Sequence, residues 1–569
     1  MQDAYYSNAN PALLERVPAT ARSILEIGCG SGALGHLIKA RSPAVHYVGV
    51  ERVPEVANVA RQSGLDHVLV GDVEKLDAQI AKLGPYDCIV YGDVLEHLVD
   101  PDSLLYRHCD LLSDGGLVLA SIPNAQHWSL LVNLLRGRFP REDAGLFDRT
   151  HLRWFTHDDV IAMIQRVGLI PWEMAGQCLG SQQESHTLAR TLAPLLPTLG
   201  VDQATLQQRL APLQWVVRAG REAPRPLQID CIGLSPTTQA GMAHVRMLQP
   251  LQALCRQPGV VGRFSDQGLK LLADKACSDR VFIWQRPTLT YPDGLAKLRS
   301  LIESGYVVIV DYDDDPDFWP AIAEHQYLTF RGVHAVQVST SALADVVRRF
   351  NPEVSIFQNA IPQLPELPQQ PSDSSAGLSL FFGALNRGSD WAPYLDALNQ
   401  LLSDCQGFLR VDVVHDRDLY DCLDTEHKTF VPTLAYADYC DRMTCADLVW
   451  MPLADTSFNR KKSDLKFLEA AARGLVSIAS PTVYADVIKH GVTGILVDTP
   501  ESFYLEVRAL VESPDRCRMI GANARAWVAK HRLQAAQVGA REAWYRDLCR
   551  RREALTQNIF DRVPDLLAQ

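Results

Sequence analysis

Short apolar runs, each closed by glycine, proline or a carboxylate and followed by a segment with helical spacing, recur along the whole chain. The first, SILEI (23–27), enters the glycine-rich turn GCGSG and then ALGHLIKAR, whose apolar positions share one helical face. HYVGVE (46–51), VLVGDVEKL, YDCIVYGDVLEHL and LVLASIPN (117–124) repeat the scheme, and PWEMAG reads as a sixth strand. QWVVRAGR (214–221) has the apolar alternation of an antiparallel closing strand. The Leu- and Pro-rich segment at 183–212 then reads as a helical insertion, and EAPRP (222–226) as a linker, since two prolines in five residues cannot continue a strand. From Leu227 a second series begins with LQIDCIGL, VFIWQRP, YVVIVDYDDDP and AVQVST. After the Pro/Ser-rich stretch QLPELPQQPSDSSAG (363–377), which reads as a hinge, it resumes with LSLFFGALNRG, LVSIAS and HGVTGILV. Strands alternating with helices predict an α/β protein.

Its 569 residues exceed what one core sustains. The expected domains are 1–222, 227–362 and 376–545, followed by a helical tail at 546–569. A composition of 47% hydrophobic and 21% charged residues predicts a folded chain throughout, and a formal charge of -12 leaves no basic field for a nucleic acid partner. The 13 cysteines form no C-x-x-C pair and no zinc-spaced cluster, as expected of reduced thiols in a cytoplasmic protein. No apolar run reaches the roughly 18 to 20 residues of a spanning helix, and MQDAYYSNANPALLERV lacks the layout of a signal peptide. The expected location is the cytoplasm, with contact at most peripheral to the inner face of the cell membrane.

The first turn concentrates chemistry. Gly28, Gly30 and Gly32 allow positive φ and close approach of a ligand, and Glu51, about 20 residues on, ends the next strand where a carboxylate can accept both hydroxyls of a ribose. Gly28, Gly30 and Ala33 also satisfy a looser dinucleotide pattern, so a nicotinamide enzyme fits this far. Glu26, placed to meet an ammonium group, Asp72 after the third strand, and the acidic turn at Asp93 separate the readings. A row of carboxylates suits a sulfonium cofactor with an amino acid tail, and repels a pyrophosphate. On EIGCGSG, Glu51, Asp72 and DVLEHL the sequence resembles the class I S-adenosylmethionine methyltransferases. The resemblance implies a Rossmann-like domain holding S-adenosyl-L-methionine with these residues. The competing structural reading of Asp93 and Glu96 is a capping box at a helix start.

The basic, aromatic stretch NLLRGRFPREDAGLFDRTHLRWFT resembles the acceptor side of methyltransferases from surface-polysaccharide and glycoconjugate clusters. Methylation of a hydroxyl calls for a base that works at neutral pH. His151 is the first candidate, with His97 and His127 behind it; the alternative for His151 is a loop-corner histidine hydrogen-bonded beside Asp148.

Residues 227 to 545 resemble the glycosyltransferases with two facing Rossmann-like lobes (GT-B), especially family 4. QNAI, with Asn359, stands at the interlobe crossing, and Gly383 opens the second lobe with Arg387 as its nearby cation. The resemblance implies two carboxylates eight positions apart on a later helix. Glu469 is the second, whereas Lys461 stands in place of the first, and a cation cannot accept the same sugar hydroxyls. Among Arg460, Lys461, Lys462 and Lys466, the residues expected to clamp the donor diphosphate are Lys462 and Lys466, with Arg387; the alternative is a solvated basic face. Asp311, Asp313, Asp314 and Asp315 offer oxygen ligands for magnesium or manganese. Acceptor recognition or helix capping is the preferred reading, because the family implies retaining, metal-independent transfer, and no metal is expected.

The expected protein is therefore bifunctional. It transfers a methyl group to a hydroxyl, and a glycosyl residue from a nucleotide-sugar donor to a glycan or lipid-linked sugar acceptor, in surface polysaccharide or glycoconjugate biosynthesis. The alternatives are a methyltransferase carrying a non-catalytic glycan-binding scaffold, a chain whose methyltransferase half is the degenerate one, and an enzyme that tailors small natural products.

Overall fold

A computed structural model describes residues 9–178, 180, 182–236, 240–271, 279–367, 377–384 and 387–567. The chain forms two compact units, residues 1–225 with 256–259, and 226–255 with 260–569.

The first unit is built on one sheet: β1 (Ser23–Ile27), β2 (His46–Glu51), β3 (His67–Val70), β4 (Tyr86–Gly92), β5 (Leu112–Pro123), β6 (Ile170–Gln177) and β7 (Gln214–Gly220), in the order β3-β2-β1-β4-β5-β7-β6. β1 to β5 pair in parallel, and β7 inserts antiparallel between β5 and β6. The central strands are apolar on both faces because both are covered: Leu25, Val48 and Ile89 belong to one core, Ile24, Tyr47 and Val90 to the other. The segment read as an insertion forms the helices Gln183–Leu192, Leu196–Leu199 and Gln203–Leu210. The parallel strands discharge their loops along one edge, where residues 28–32, 51–53, 71–72 and 93–97 gather.

The second unit holds two six-stranded sheets whose pairings are all parallel. The first comprises β8 (Leu227–Ile232), β9 (Val260–Ser265), β10 (Asp279–Gln285), β11 (Val307–Tyr312), β12 (Ala335–Val338) and β13 (Val354–Ile356), ordered β13-β12-β11-β10-β8-β9. The second comprises β14 (Leu378–Gly383), β15 (Leu409–Val414), β16 (Lys428–Val431), β17 (Leu448–Met451), β18 (Val476–Ala479) and β19 (Ile495–Leu496), ordered β16-β15-β14-β17-β18-β19. Residues 368–376 of the stretch read as a hinge lie outside the described residues. The segment read as a tail contributes Ile559, Val563 and Leu566 to the core of the first sheet.

A buried ion pair anchors the crossing between these lobes. Arg246, 3% exposed, donates to both carboxylate oxygens of Asp311, 0% exposed, at 3.2 and 2.7 Å. Its other nitrogen donates to the Phe357 carbonyl and to Asn359 Oδ1. Removing one partner leaves a buried charge uncompensated. Asp311→Ala is expected to destabilise the second unit by about 3 to 5 kcal/mol in denaturant unfolding, and Arg246→Met/Asp311→Leu by less than the single change.

Candidate active sites

In the first unit the turn after β1 is shaped by glycine. Gly28 and Gly32 take φ of 73° and 81°, and a Cβ at Gly28 would lie 2.5 Å from Val94 Cγ2. Glu51, at the end of β2, is buried, and its carboxylate accepts the N–H of Gly30 at 3.0 Å and of Val53 at 2.9 Å. The carboxylate expected at a ribose is thus fastened to the glycine turn from the neighbouring strand. Glu26 lies inside the sheet edge, 5% exposed, and accepts the Tyr47 hydroxyl at 2.8 Å. Burial pushes its carboxyl up to about 8 against the pull of Tyr47, and Glu51 adds to the rise. Asp72 caps the 3-10 turn Val73–Lys75 by accepting the Glu74 N–H.

Asp93 does not cap a helix. It stands at φ 53°, uncommon for a side-chain-bearing residue, and its Oδ1 accepts from Ser121 Oγ at 3.0 Å and Gln214 Nε2 at 2.8 Å. Val94, not Asp93, precedes the short 3-10 turn Leu95–His97, so the capping-box alternative fails. Burial raises the Asp93 carboxyl, and the Ser121 and Gln214 bonds oppose the rise.

Glu96 is the residue whose role the sequence concealed. It is 1% exposed, neither carboxyl oxygen has a hydrogen-bond partner among the described residues, and burial, then Asp93, hold its carboxyl well above the ordinary range. Its backbone carbonyl accepts the N–H groups of Leu152 and Arg153, which brings His151 Nε2 to 3.9 Å from Glu96 Oε1. The His151 and His97 rings meet edge to face at 4.8 Å. His151 is not bonded to the Asp148 side chain, whose Oδ1 accepts from Thr150. Burial, then His97, lowers its pKa against the opposing pull of Asp148 and of a backbone bond to Leu146, which keeps the ring neutral at pH 7. Ligand atoms of Glu96, His97 and His151 lie within 4.8 Å of one another, so the three also have the spacing to hold a metal ion. His127 instead caps the helix Trp128–Leu135.

In the second unit a cavity of about 260 Å³ lies between the lobes, lined by Arg246, Arg286 and Asp313 from one and by Arg387, Lys462 and Lys466 from the other. Lys466 is on the helix Leu465–Ala472, and its ammonium donates to the Gly383 carbonyl at the end of β14. Burial lowers its pKa to about 8, with Glu469 opposing and Arg387 adding to the fall. Glu469, 3% exposed, accepts the Tyr436 hydroxyl at 2.8 Å, and burial raises its carboxyl. Arg387 donates to Asp390 at 3.0 Å and Asn459 at 2.9 Å; residues 385–386 of its loop lie outside the described residues.

The four cations of the basic run diverge. Arg460 pairs with Asp455 at the exposed surface. Lys461 turns to Asp315 of the first lobe at 2.6 Å, and Lys462 to Asp314 at 2.7 Å. Arg286 binds Asp313 at 2.5 Å and approaches Asp314 at 3.4 Å. Through Lys461 and Lys462 the basic loop is therefore charge-paired with the acidic loop across the lobes, and only Arg460 of the run keeps to the exposed surface. Asn359 adds a neutral tie to Ser463 Oγ at 2.8 Å.

Residues 3–173 match the family model for a methyltransferase domain, and residues 380–513 that for glycosyl transferases group 1. The chain carries both domains. The ubiquinone biosynthesis O-methyltransferase of Xylella fastidiosa (strain 9a5c) is 32% identical over 122 residues, which cover 20% of this chain and 49% of that protein. That of Aeromonas salmonicida is 27% identical over 158 residues, covering 27% and 66%. The chain thus spans about half the length of the first of these relatives. Among solved structures, Anabaena Alr3699/HepE in complex with UDP and glucose aligns over 56% of this chain and 98% of its own, at 15% identity and a TM-score of 0.41. An S-adenosylmethionine dependent methyltransferase from Mesorhizobium loti aligns over 37% and 95%, at 19% identity and a TM-score of 0.25.

The raised pKa of Glu26 has a sign that can be measured. Below its ordinary 4.5 both folded and unfolded chains are protonated there; between 4.5 and about 8 only the unfolded chain ionises, so the folded state progressively loses stability. Without ligand, Glu26→Gln should melt with the wild type near pH 4.5 and several degrees above it at pH 8. A gap that closes with rising pH would contradict the assignment.

Proposed function

We propose that the chain is a bifunctional glycan-modifying enzyme that methylates a hydroxyl, most simply of a sugar, and adds a glycosyl residue from a nucleotide sugar. The observation that carries the first activity is the series of carboxylates at one sheet edge. Glu51 ends β2 and Asp72 lies two residues beyond the end of β3, beside a turn that a Cβ at Gly28 would fill, and Glu26 is buried one strand position inside β1. That donor set suits S-adenosyl-L-methionine: Glu51 for the ribose, Asp72 for the adenine side, Glu26 and Asp93 for the cationic tail. When bound, the cofactor supplies the activated methyl group. His151 is the residue suited to accept the hydroxyl proton, since it is neutral, lies beside Glu96 and contacts His97, the second candidate base.

For the second activity, Lys466 and Arg387 are suited to a diphosphate and Lys462 joins them when it exchanges Asp314 for phosphate; Glu469 and the Gly383 strand end complete the donor side. Transfer is retaining and needs no metal in this reading. What supports the metal-free part is that Asp311, Asp314 and Asp315 are engaged by Arg246, Lys462 and Lys461. Lys461 is the observation that favours a binding-only second half, and turnover distinguishes the two.

No helix among the described residues is long and apolar enough to cross a membrane. A cytoplasmic enzyme in surface polysaccharide or glycoconjugate biosynthesis, working on a lipid-linked acceptor, would meet the membrane peripherally. Support comes from the helix Trp128–Leu135, which leaves Leu134 and Leu135 exposed just before the exposed Arg136, Arg138, Phe139 and Arg141.

Glu51→Ala is expected to weaken S-adenosylhomocysteine binding by about a hundredfold or more, the scale of lost charge-assisted hydrogen bonds, and to abolish methyl transfer while nucleotide-sugar binding persists. Calorimetry with both ligands checks it; parallel loss of both would contradict two separate donor sites.

A further inference from the structure

The interlobe cavity presents a single carboxylate among five cations. Arg246, Arg286, Arg387, Lys462 and Lys466 line it, and the acid among its lining residues is Asp313. Neighbouring acids have partners of their own: Asp311 has Arg246, Asp314 has Lys462, Asp315 has Lys461, and Asp390 has Arg387. Asp313 is held from one side. Its Oδ1 accepts from Arg286 Nε at 2.5 Å, whereas Oδ2 has no hydrogen-bond partner among the described residues although the side chain is only 10% exposed.

The backbone fixes this arrangement. Gln285 and Asp311 are paired across β10 and β11, so Arg286, one residue beyond β10, and Asp313, one residue beyond the end of β11 at Tyr312, leave the sheet edge side by side and line the cavity. Arg286 adopts φ 43°, a left-handed conformation costly for a residue with a side chain, and its N–H binds the Asp311 carbonyl at 2.9 Å. Asp314 and Asp315 tie the same loop to the opposite lobe through Lys462 and Lys461. Two carboxylates of the loop thus join the lobes, and the third faces the cavity with an oxygen to spare.

An ionised carboxylate only accepts hydrogen bonds, and a diphosphate, also an acceptor, is repelled by it. The group that fits beside Asp313 is a neutral donor such as a hydroxyl. Position 461, where a carboxylate would be expected to accept sugar hydroxyls, holds a lysine that points to Asp315.

We infer that Asp313 reads the transferred sugar: its unpartnered oxygen accepts a hydroxyl of the donor's sugar, and the carboxylate missing at Lys461 is supplied from the opposite lobe. This rests on the reading of the second unit as a nucleotide-sugar site. It makes Asp313 a specificity residue and Arg286 the residue that positions it, and it disfavours donors whose sugar bears a carboxylate at that point.

The test is calorimetric titration of the full chain, wild type, Asp313→Asn and Asp313→Ala, with UDP, UDP-glucose, GDP and GDP-mannose, alongside thermal melts to confirm folding. The expected result is that the bare nucleotide binds the variants as it binds the wild type, whereas the corresponding sugar nucleotide weakens roughly tenfold or more, Ala exceeding Asn. Equal weakening of bare and sugar nucleotides would make Asp313 a structural partner of Arg286 and overturn the inference alone. Unchanged binding of both would also overturn it. If the wild type binds none of the four, the donor-site reading falls and the inference falls with it.

Discussion

Both sites are governed by carboxylates at the C-terminal edges of parallel sheets, where each must find hydrogen bonds or a counter-charge, or take up a proton. Parallel strands end together, so acids at strand ends collect at one edge. In the first unit Lys75 approaches Asp72 at 3.5 Å, and Glu26, Glu51 and Asp93 have no Lys or Arg partner among the described residues. Glu51 is satisfied by backbone N–H groups, Asp93 by Ser121 and Gln214, and Glu26 by one tyrosine hydroxyl, with burial favouring its protonated form. In the second unit the acids after β11 meet cations from both lobes. The same architectural rule therefore gives an edge that suits a cationic, hydroxyl-bearing ligand in one unit and a charge-paired cleft in the other.

The two edges also differ in how a ligand must act on them. At the first, an ammonium group would draw Glu26 toward its ionised form, so binding is coupled to release of a proton below pH 8. At the second, a diphosphate bound as proposed would compete with Asp314 for Lys462, while Lys466, held by a carbonyl oxygen, has no carboxylate hydrogen-bond partner among the described residues. Electrostatic exchange of this kind makes binding sensitive to ionic strength.

Much of this was legible in the sequence because it is local. The glycine turn, the strand ending in Glu51, the Asp72 turn and the closing strand at 214–221 follow from strand periodicity and turn chemistry within a few dozen residues. What escaped is contact between distant segments. Glu96 and Asp93 have the spacing of a capping box, and only the backbone bonds from Leu152 and Arg153 to Glu96 bring His151 beside its carboxyl. Lys461 looked like a lost sugar ligand in a solvated run; its partner Asp315 lies 146 positions away, in the loop after β11 of the other lobe. Periodicity carries no information about which loops of two lobes will face each other, so the division of labour along Asp313, Asp314 and Asp315 became visible only in three dimensions.

In the proposed function one chain holds two independent donor sites. Titration of the full chain with S-adenosylhomocysteine and with UDP-glucose or GDP-mannose, each alone and then each into protein saturated with the other, tests it most directly. The expected outcome is one equivalent of each ligand, with affinities unaltered by the other. Mutual displacement, or binding of only one class of ligand, would contradict it.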